Sequence, residues 1–299
     1  MTALINTSAP VPRYIWAATR HLLTVRGKRQ RKEVARSLLS PSSLFDEGED
    51  KEKTFDKVVR IGTELGIFLE EGEDLVLTAA ARALDAADSR LFFDFLRDRV
   101  LGQLTASELV ADPSLTRGKD LVRALCWFLT QPCDVPVDSS TFAGKQQDAL
   151  PEGLRNPLTN QSRWAFFVFW APALGFAANS LLQVDGAVAL VPDCSTAVRR
   201  TIGSIWAPGT TVKARVVVDE LLRALPVLPG GEFSRAMALE TGPVEVSPVL
   251  SWALLDARER GALQLTMRSD AADTVRLVDP EAPGGVRSVA MIEIGDTNL

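Results

Sequence analysis

TFDKVVRIGTELGIFLEEGEDLVLT, residues 54–78, changes its hydrophobic period once, at Gly66. Before it, Phe55, Val58, Val59, Ile61 and Leu65 recur at the spacing of one helix face. After it, Ile67-Phe68-Leu69 and Leu75-Val76-Leu77 are short apolar runs flanking EEGED, with Gly72 at the turn, which is a hairpin signal. Gly66 suits the helix end, because glycine takes the left-handed conformation there at little cost.

Two more helices precede this stretch. Residues Val11 to Leu23 place Ile15, Ala18, Leu22 and Leu23 on one face, with Pro10 and Pro12 in the first turn. Gly27 breaks the pattern, and a second helix is expected from Gln30 to Leu39 with Val34, Leu38 and Leu39 inward. SPSS, 40–43, is a turn, and the third helix begins after the acidic run DEGED, 46–50. Three short helices followed by a hairpin is the order of a winged helix.

Farther along, the middle of the chain reads as almost all helix: Ser89–Leu104, Lys119–Thr130, and Gln161–Leu182 broken near Pro172. Asp193 is expected to cap a helix from Ser195 to Ile205. Residues 131–160, with Pro132, Pro136, Pro151 and Pro157, read as a long loop. The last hundred residues repeat the rhythm of the first eighty. Thr211–Leu225 is helical, PVLPGG (226–231) is a break, and a short helix spans Ser234 to Glu240. Another runs from Ser247 to Gly261, with Ser247-Pro248 as cap and first position. Leu263 to Met267, Val275–Val278 and Ser288–Ile294 are expected strands, with SDAAD (269–273) turning the chain. The fold class is then mainly α with small β-hairpins. An N-terminal winged helix covers 1–80, a helical middle region 81–206, and a C-terminal winged-helix-like α+β module 207–299.

Charge is unevenly spread. The 299 residues carry a net -5, yet residues 1–40 hold eight Lys/Arg against one acid, Glu33. That local +7 leaves -12 for the rest. Such a basic end suits an anionic partner. In a helix-turn-helix the later helix enters the major groove. Here it carries Lys51, Lys53, Lys57 and Arg60, while Lys28, Arg29, Arg31, Lys32 and Arg36 at the start of the preceding helix could clamp the phosphate backbone. One feature opposes DNA contact: the hairpin tip reads Glu70, Glu71, Glu73 and Asp74, which would repel phosphates. Either that tip points away from DNA or the module binds protein, and both readings stay open. Trp164, Phe166, Phe167, Phe169 and Trp170 lack interleaved Lys or Arg, so they are read as core rather than as a stacking surface.

Catalytic signatures are missing. The lone histidine, His21, offers no partner set for nucleophilic catalysis, and there is no HExxH or CxxC. The glycine-lysine pairs at Gly27 and Gly118 lack the upstream glycine and the following Ser or Thr of a phosphate loop. Pro192-Asp193 could open a metal-dependent nuclease motif, but Lys213 is preceded by Thr211 and Val212 where such a motif needs an acid. No catalytic residue, metal or cofactor is therefore expected. Cys126, Cys133 and Cys194 make no disulfide framework, which fits a reducing cytoplasm. The uncharged stretch Trp164–Val184 is long enough to cross a membrane, but Pro172, Gly175, Asn179, Ser180 and Gln183 favour a broken core helix.

ALINTSAPVPRYIWAATRHLL (3–23), LVRALCWFL (121–129), RWAFFVFWAPALGFA (163–177), LVPDCSTAVRR (190–200) and SPVLSWALLDARERGAL (247–263) together resemble DpdG proteins over most of the chain. DpdG belongs to the bacterial Dpd clusters, which place 7-deazaguanine derivatives in DNA and restrict unmodified DNA. The resemblance implies a non-catalytic accessory subunit of an anti-phage restriction system, with DNA and other defence-system subunits as partners. The alternatives from the residues alone are a winged-helix transcriptional regulator and an unrecognised metal-dependent nuclease.

Overall fold

A computed structural model describes residues 2–6, 9–41, 53–146, 149–151, 153–181, 188–239, 244–267 and 273–297. The DEGED run, Lys51, residues 182–184, Glu240 and most of the expected turn at 269–273 lie outside them. The chain combines helices with small antiparallel sheets. Two compact units form: one holds residues 1–104, 115–121 and 162–174, the other 105–114, 122–161 and 175–299.

The first unit opens with α1 (Pro12–Thr24), β1 (Arg29–Arg31), α2 (Lys32–Leu39), α3 (Thr54–Glu64), β2 (Phe68–Glu71), β3 (Asp74–Leu77), α4 (Ala79–Arg82) and α5 (Ser89–Leu101). Ile15, Ala18, Leu22 and Leu23 of α1 are buried as the spacing predicts, and so are Phe55, Val58, Val59 and Ile61 of α3. Gly66 leaves α3 at φ +68°. At Gly62, a Cβ would stand 2.2 Å from the ring of fully buried Phe68, so β2 can approach α3 only over a glycine. The sheet order is β1-β3-β2, so the hairpin gains a third strand. The spacing puts Val34, Leu38 and Leu39 inward on α2, but Val34 and Leu38 are exposed and Ala35 is its buried residue. The same spacing places Arg29–Arg31 at a helix start. It is instead a strand, because its backbone completes the open side of β3, with Arg31 opposite Asp74.

The chain continues through α6 (Ala106–Val110), α7 (Lys119–Phe128), α8 (Phe142–Gln146) and α9 (Gln161–Ala173). Among its described residues the expected loop at 131–160 thus contains the short helix α8. Pro172 lies inside α9, next to its last residue, Ala173. The helix stops well before Leu182, because Gly175 turns the chain at φ +81°. The chain then enters β4 (Ala177–Asn179), which pairs with β5 (Leu190–Pro192). No helix among the described residues is long and apolar enough to cross a membrane.

One buried carboxylate ties the first unit together. Asp120 accepts the amides of Leu4 (3.0 Å) and Ile5 (2.8 Å) and lies 3.5 Å from the Arg163 guanidinium. Burial pushes its carboxyl up to about 6, against those amides and Arg163, which hold it down. The folded state therefore takes up a proton at a pH where the unfolded chain has lost it. The contribution to stability is fullest below about pH 4 and falls as pH rises through 6, by about 3 kcal/mol in all. Urea denaturation at pH 4.5 and 7.5 should show about two thirds of this loss, and Asp120→Asn should flatten it.

The C-terminal part of the second unit repeats the sheet order of the first, with one more short helix. Here α10 (Ser195–Ile205), β6 (Thr211–Lys213), α11 (Ala214–Ala224), a short α12 (Glu232–Ala236), α13 (Pro248–Glu259) and β7 (Leu263–Thr266) lead to β8 (Val275–Val278), β9 (Val286–Val289) and β10 (Met291–Ile294). Its sheet order, β6-β10-β7, matches β1-β3-β2: the first strand pairs with the last. The β8-β9 hairpin is an insertion between β7 and the closing strand. Two expectations are corrected by these pairings. Thr211–Lys213 is strand rather than helix, because β10 is there to pair with it. The strand expected over Ser288–Ile294 is split at Ala290, whose N–H bonds the Thr266 carbonyl and whose carbonyl accepts the Ala214 N–H.

Pro248 stands at the first turn of α13 as expected, but the Ser247 hydroxyl makes no capping bond. Asp193 acts one residue before the helix cap, its carboxylate accepting the Ser195 amide at 2.8 Å.

Candidate nucleic-acid interface

The turn before β1 is set by Gly27 at φ +75°, and the Lys28 ammonium bonds the Leu23 carbonyl across it. Side chains alternate along a strand. Gln30 faces α1, where it hydrogen-bonds the ring of His21. The single histidine is thus used to dock α1 on β1. Arg29 and Arg31 face the other way, toward the hairpin tip.

There they meet the acids that had argued against DNA. Arg29 donates to Asp74 from Nε (3.0 Å) and Nη2 (2.6 Å), with Glu71 at 3.4 Å. The hydrogen bond and charge of Asp74 raise the Arg29 pKa above its ordinary value. Arg31 pairs with Glu73 at 3.0 Å, and Lys32 pairs with Glu70. Arg36 pairs with Asp56 of α3 and lies 5.8 Å above the centre of the Phe55 ring. A depression of about 400 Å³ runs between these groups, lined by Arg31, Lys32, Arg36 and Glu73. The basic cluster and the acidic tip are therefore one neutralised surface. Residues 1–80 contain 12 Lys/Arg and 12 Asp/Glu. Exposed pairs of this kind add little stability. Their effect is on the field: each cation that faces a carboxylate is less available to a phosphate.

The cations of α3 stand apart from this surface. Lys53 is exposed at the start of the helix. Arg60 donates to the Thr2 hydroxyl, whose backbone N–H is held by Glu64 at 2.8 Å. Lys57 lies between them on the same helix. The structure thus joins Arg29, Arg31, Lys32 and Arg36 to acids, and keeps Lys53, Lys57 and Arg60 on a separate element.

Of the aromatic stretch, Trp164, Phe167 and Trp170 are core. Phe169 is not: it is 43% exposed and stacks on Arg13, whose guanidinium also covers Tyr14. The cysteines are poor nucleophiles, since burial pushes the Cys133 thiol up to about 11 and also raises Cys126 and Cys194. Among the described residues no three His, Cys, Asp or Glu side chains converge as metal ligands would.

A family model described as DpdG-like matches residues 2–271. The chain belongs to the DpdG-like family. The match spans all five stretches that carry the resemblance. In this DpdG-like chain those stretches are the structural hooks already described, including the Leu4 and Ile5 amides, the buried α7 and the Arg163 partner of Asp120. No curated protein and no solved structure matches it.

Proposed function

We propose that this chain is a non-catalytic accessory subunit of the Dpd anti-phage restriction machinery that works by assembling partners. In this reading residues 1–80 and 207–299 are winged-helix-like modules flanking the helical region 81–206. Membership of the DpdG-like family supports the defence context. The helix-strand-helix-helix-hairpin order of residues 12–77, and the same sheet order in the C-terminal elements despite their extra α12 and inserted β8-β9 hairpin, support the winged-helix reading.

One observation carries the choice of protein assembly over DNA recognition. Lys32, Arg29 and Arg31, which a DNA-binding module would spend on phosphates, are each held by a hairpin carboxylate. Any DNA contact then falls to cations away from the hairpin, such as Lys53, exposed at the start of α3. A partner protein, by contrast, can read a neutral polar surface by complementary pairing.

The test has two arms. Affinity purification of the tagged chain from its native host should recover other Dpd-encoded subunits. Fluorescence anisotropy at 50 mM salt should show weak duplex binding without sequence preference. Replacing Lys28, Arg29, Arg31 and Lys32 by Ala should change that binding less than twofold. Tight binding to one operator by a symmetric dimer would point to a regulator instead, and magnesium-dependent cutting that is lost with Asp193→Ala would point to a nuclease.

A further inference from the structure

We propose that the outer face of α13 is a docking groove for a partner-protein segment that carries arginine or lysine beside an apolar residue. The groove encloses about 400 Å³ in the second unit. Trp252, Leu255, Asp256 and Glu259 of α13 form one wall, and Asp279 and Glu281 after β8 form the other.

The helix equivalent to α13 in the first unit shows why this face is unusual. Counted back from the glycine that ends each helix, Leu250, Ala253 and Leu254 fall where Phe55, Val58 and Val59 stand, and all six are buried. The inward faces agree. The outward position nine residues before the glycine is Lys57 in α3 and Trp252 in α13. Trp252 is 54% exposed, and the intermediately buried Leu255 shares the groove with it. An indole left open in a groove is the kind of anchor on which interfaces concentrate their binding energy.

The charge around the indole decides what fits. Asp256 is held by Arg260 at 2.8 Å, Asp279 by Arg287 at 2.5 Å, and Glu259 by Arg258. Among the described residues the Glu281 carboxylate pairs with no cation, while its backbone N–H bonds Asp279. With the other three lining carboxylates paired, Glu281 supplies the uncompensated negative charge of the groove. An arginine or lysine is favoured twice, by the π face of Trp252 and by the carboxylate of Glu281. An apolar neighbour on the same segment completes the fit against Leu255.

The inference rests on the assembly reading for the existence of a partner. Co-purification tests that reading, and peptide binding to the full chain tests the groove, so either can fail alone. The probe is a fluorescein-labelled peptide of alternating Arg and Leu, with a Glu/Leu peptide as its opposite. The Arg/Leu peptide should bind the full chain and the Glu/Leu peptide should not. Trp252→Ala should weaken binding at least tenfold, and Glu281→Lys by a similar factor. Asp219→Lys, on α11 and outside the groove, should leave it within twofold. Both groove variants alter exposed side chains, so the fold should persist, and circular dichroism checks this. Unchanged affinity in both variants overturns the proposal. Equal binding of the Glu/Leu peptide also overturns it. So does a dimer of the chain that Trp252→Ala abolishes, because the occupant is then a second copy.

Discussion

Neutralising the hairpin tip by Glu70→Gln, Glu71→Gln, Glu73→Gln and Asp74→Asn should raise affinity for duplex DNA by about 100-fold at 50 mM salt, at about one released phosphate contact for each of Arg29, Arg31 and Lys32. The reasoning is a competition between carboxylate and phosphate for the same cations. In the native chain each of the three faces an acid across the β1-β3 register or from the hairpin tip. The amides keep the size and polarity of the acids but not their charge. The cations then regain their full field, and a duplex can release counterions to them. Two controls fix the interpretation. The gain should shrink steeply between 50 and 200 mM salt, as counterion release requires. Adding Arg29→Ala, Arg31→Ala and Lys32→Ala to the neutralised tip should return affinity to the starting value. Circular dichroism should be unchanged, because exposed pairs contribute little to stability. If the neutralised chain binds DNA no better, these side chains do not face a surface that a duplex can reach, and the charge competition is wrong.

That competition was half legible in the sequence. The excess of positive charge in residues 1–40 and the acids of the hairpin could be read directly, and so could their apparent conflict. Their pairing could not, because it depends on β1. Arg29-Gln30-Arg31 has no apolar alternation and spans three residues, so nothing local marks it as a strand. It is one because β3 offers an unpaired edge more than forty residues away. Thr211–Lys213 escaped for the same reason, since its partner β10 lies some eighty residues on. By contrast α1, α3 and the β2-β3 hairpin were legible, because their signals are local: a period, a glycine at positive φ, a turn. The end of α9 shows the limit of a local signal. Pro172 marked a break, but only the close approach of Gly175 to Ala197, with room for a Cβ no nearer than 3.0 Å from its amide nitrogen, sends the chain into β4. Trp252 gave no warning either. A helical tryptophan reads as core until the facing wall, here the turn after β8, is known to stand off from it.

Arg123→Met should destabilise the chain by about 4 kcal/mol, the range expected when a buried hydrogen-bond network is broken rather than trimmed. Arg123 lies on α7 in a run, Leu121 to Leu129, that is buried throughout. Its guanidinium is fully buried and donates to three carbonyls of one loop: Leu109 (3.0 Å from Nε and 2.5 Å from Nη2), Asp112 (2.6 Å) and Ser114 (3.0 Å). These carbonyls follow or end α6, where a helix has acceptors with no partner of its own. The planar fork satisfies several at once, and that geometry separates two variants. Methionine fills much of the volume but leaves all three carbonyls without this donor. Lysine keeps the charge on a point donor that cannot reach three divergent acceptors, so Arg123→Lys should lose at least half as much stability as Arg123→Met. Urea denaturation and calorimetry read both, with a fall in melting temperature of about 10 °C for Arg123→Met. A loss below about 1 kcal/mol for Arg123→Met would mean that the loop finds its hydrogen bonds elsewhere, and that this arginine is not what fixes residues 109–114 to α7.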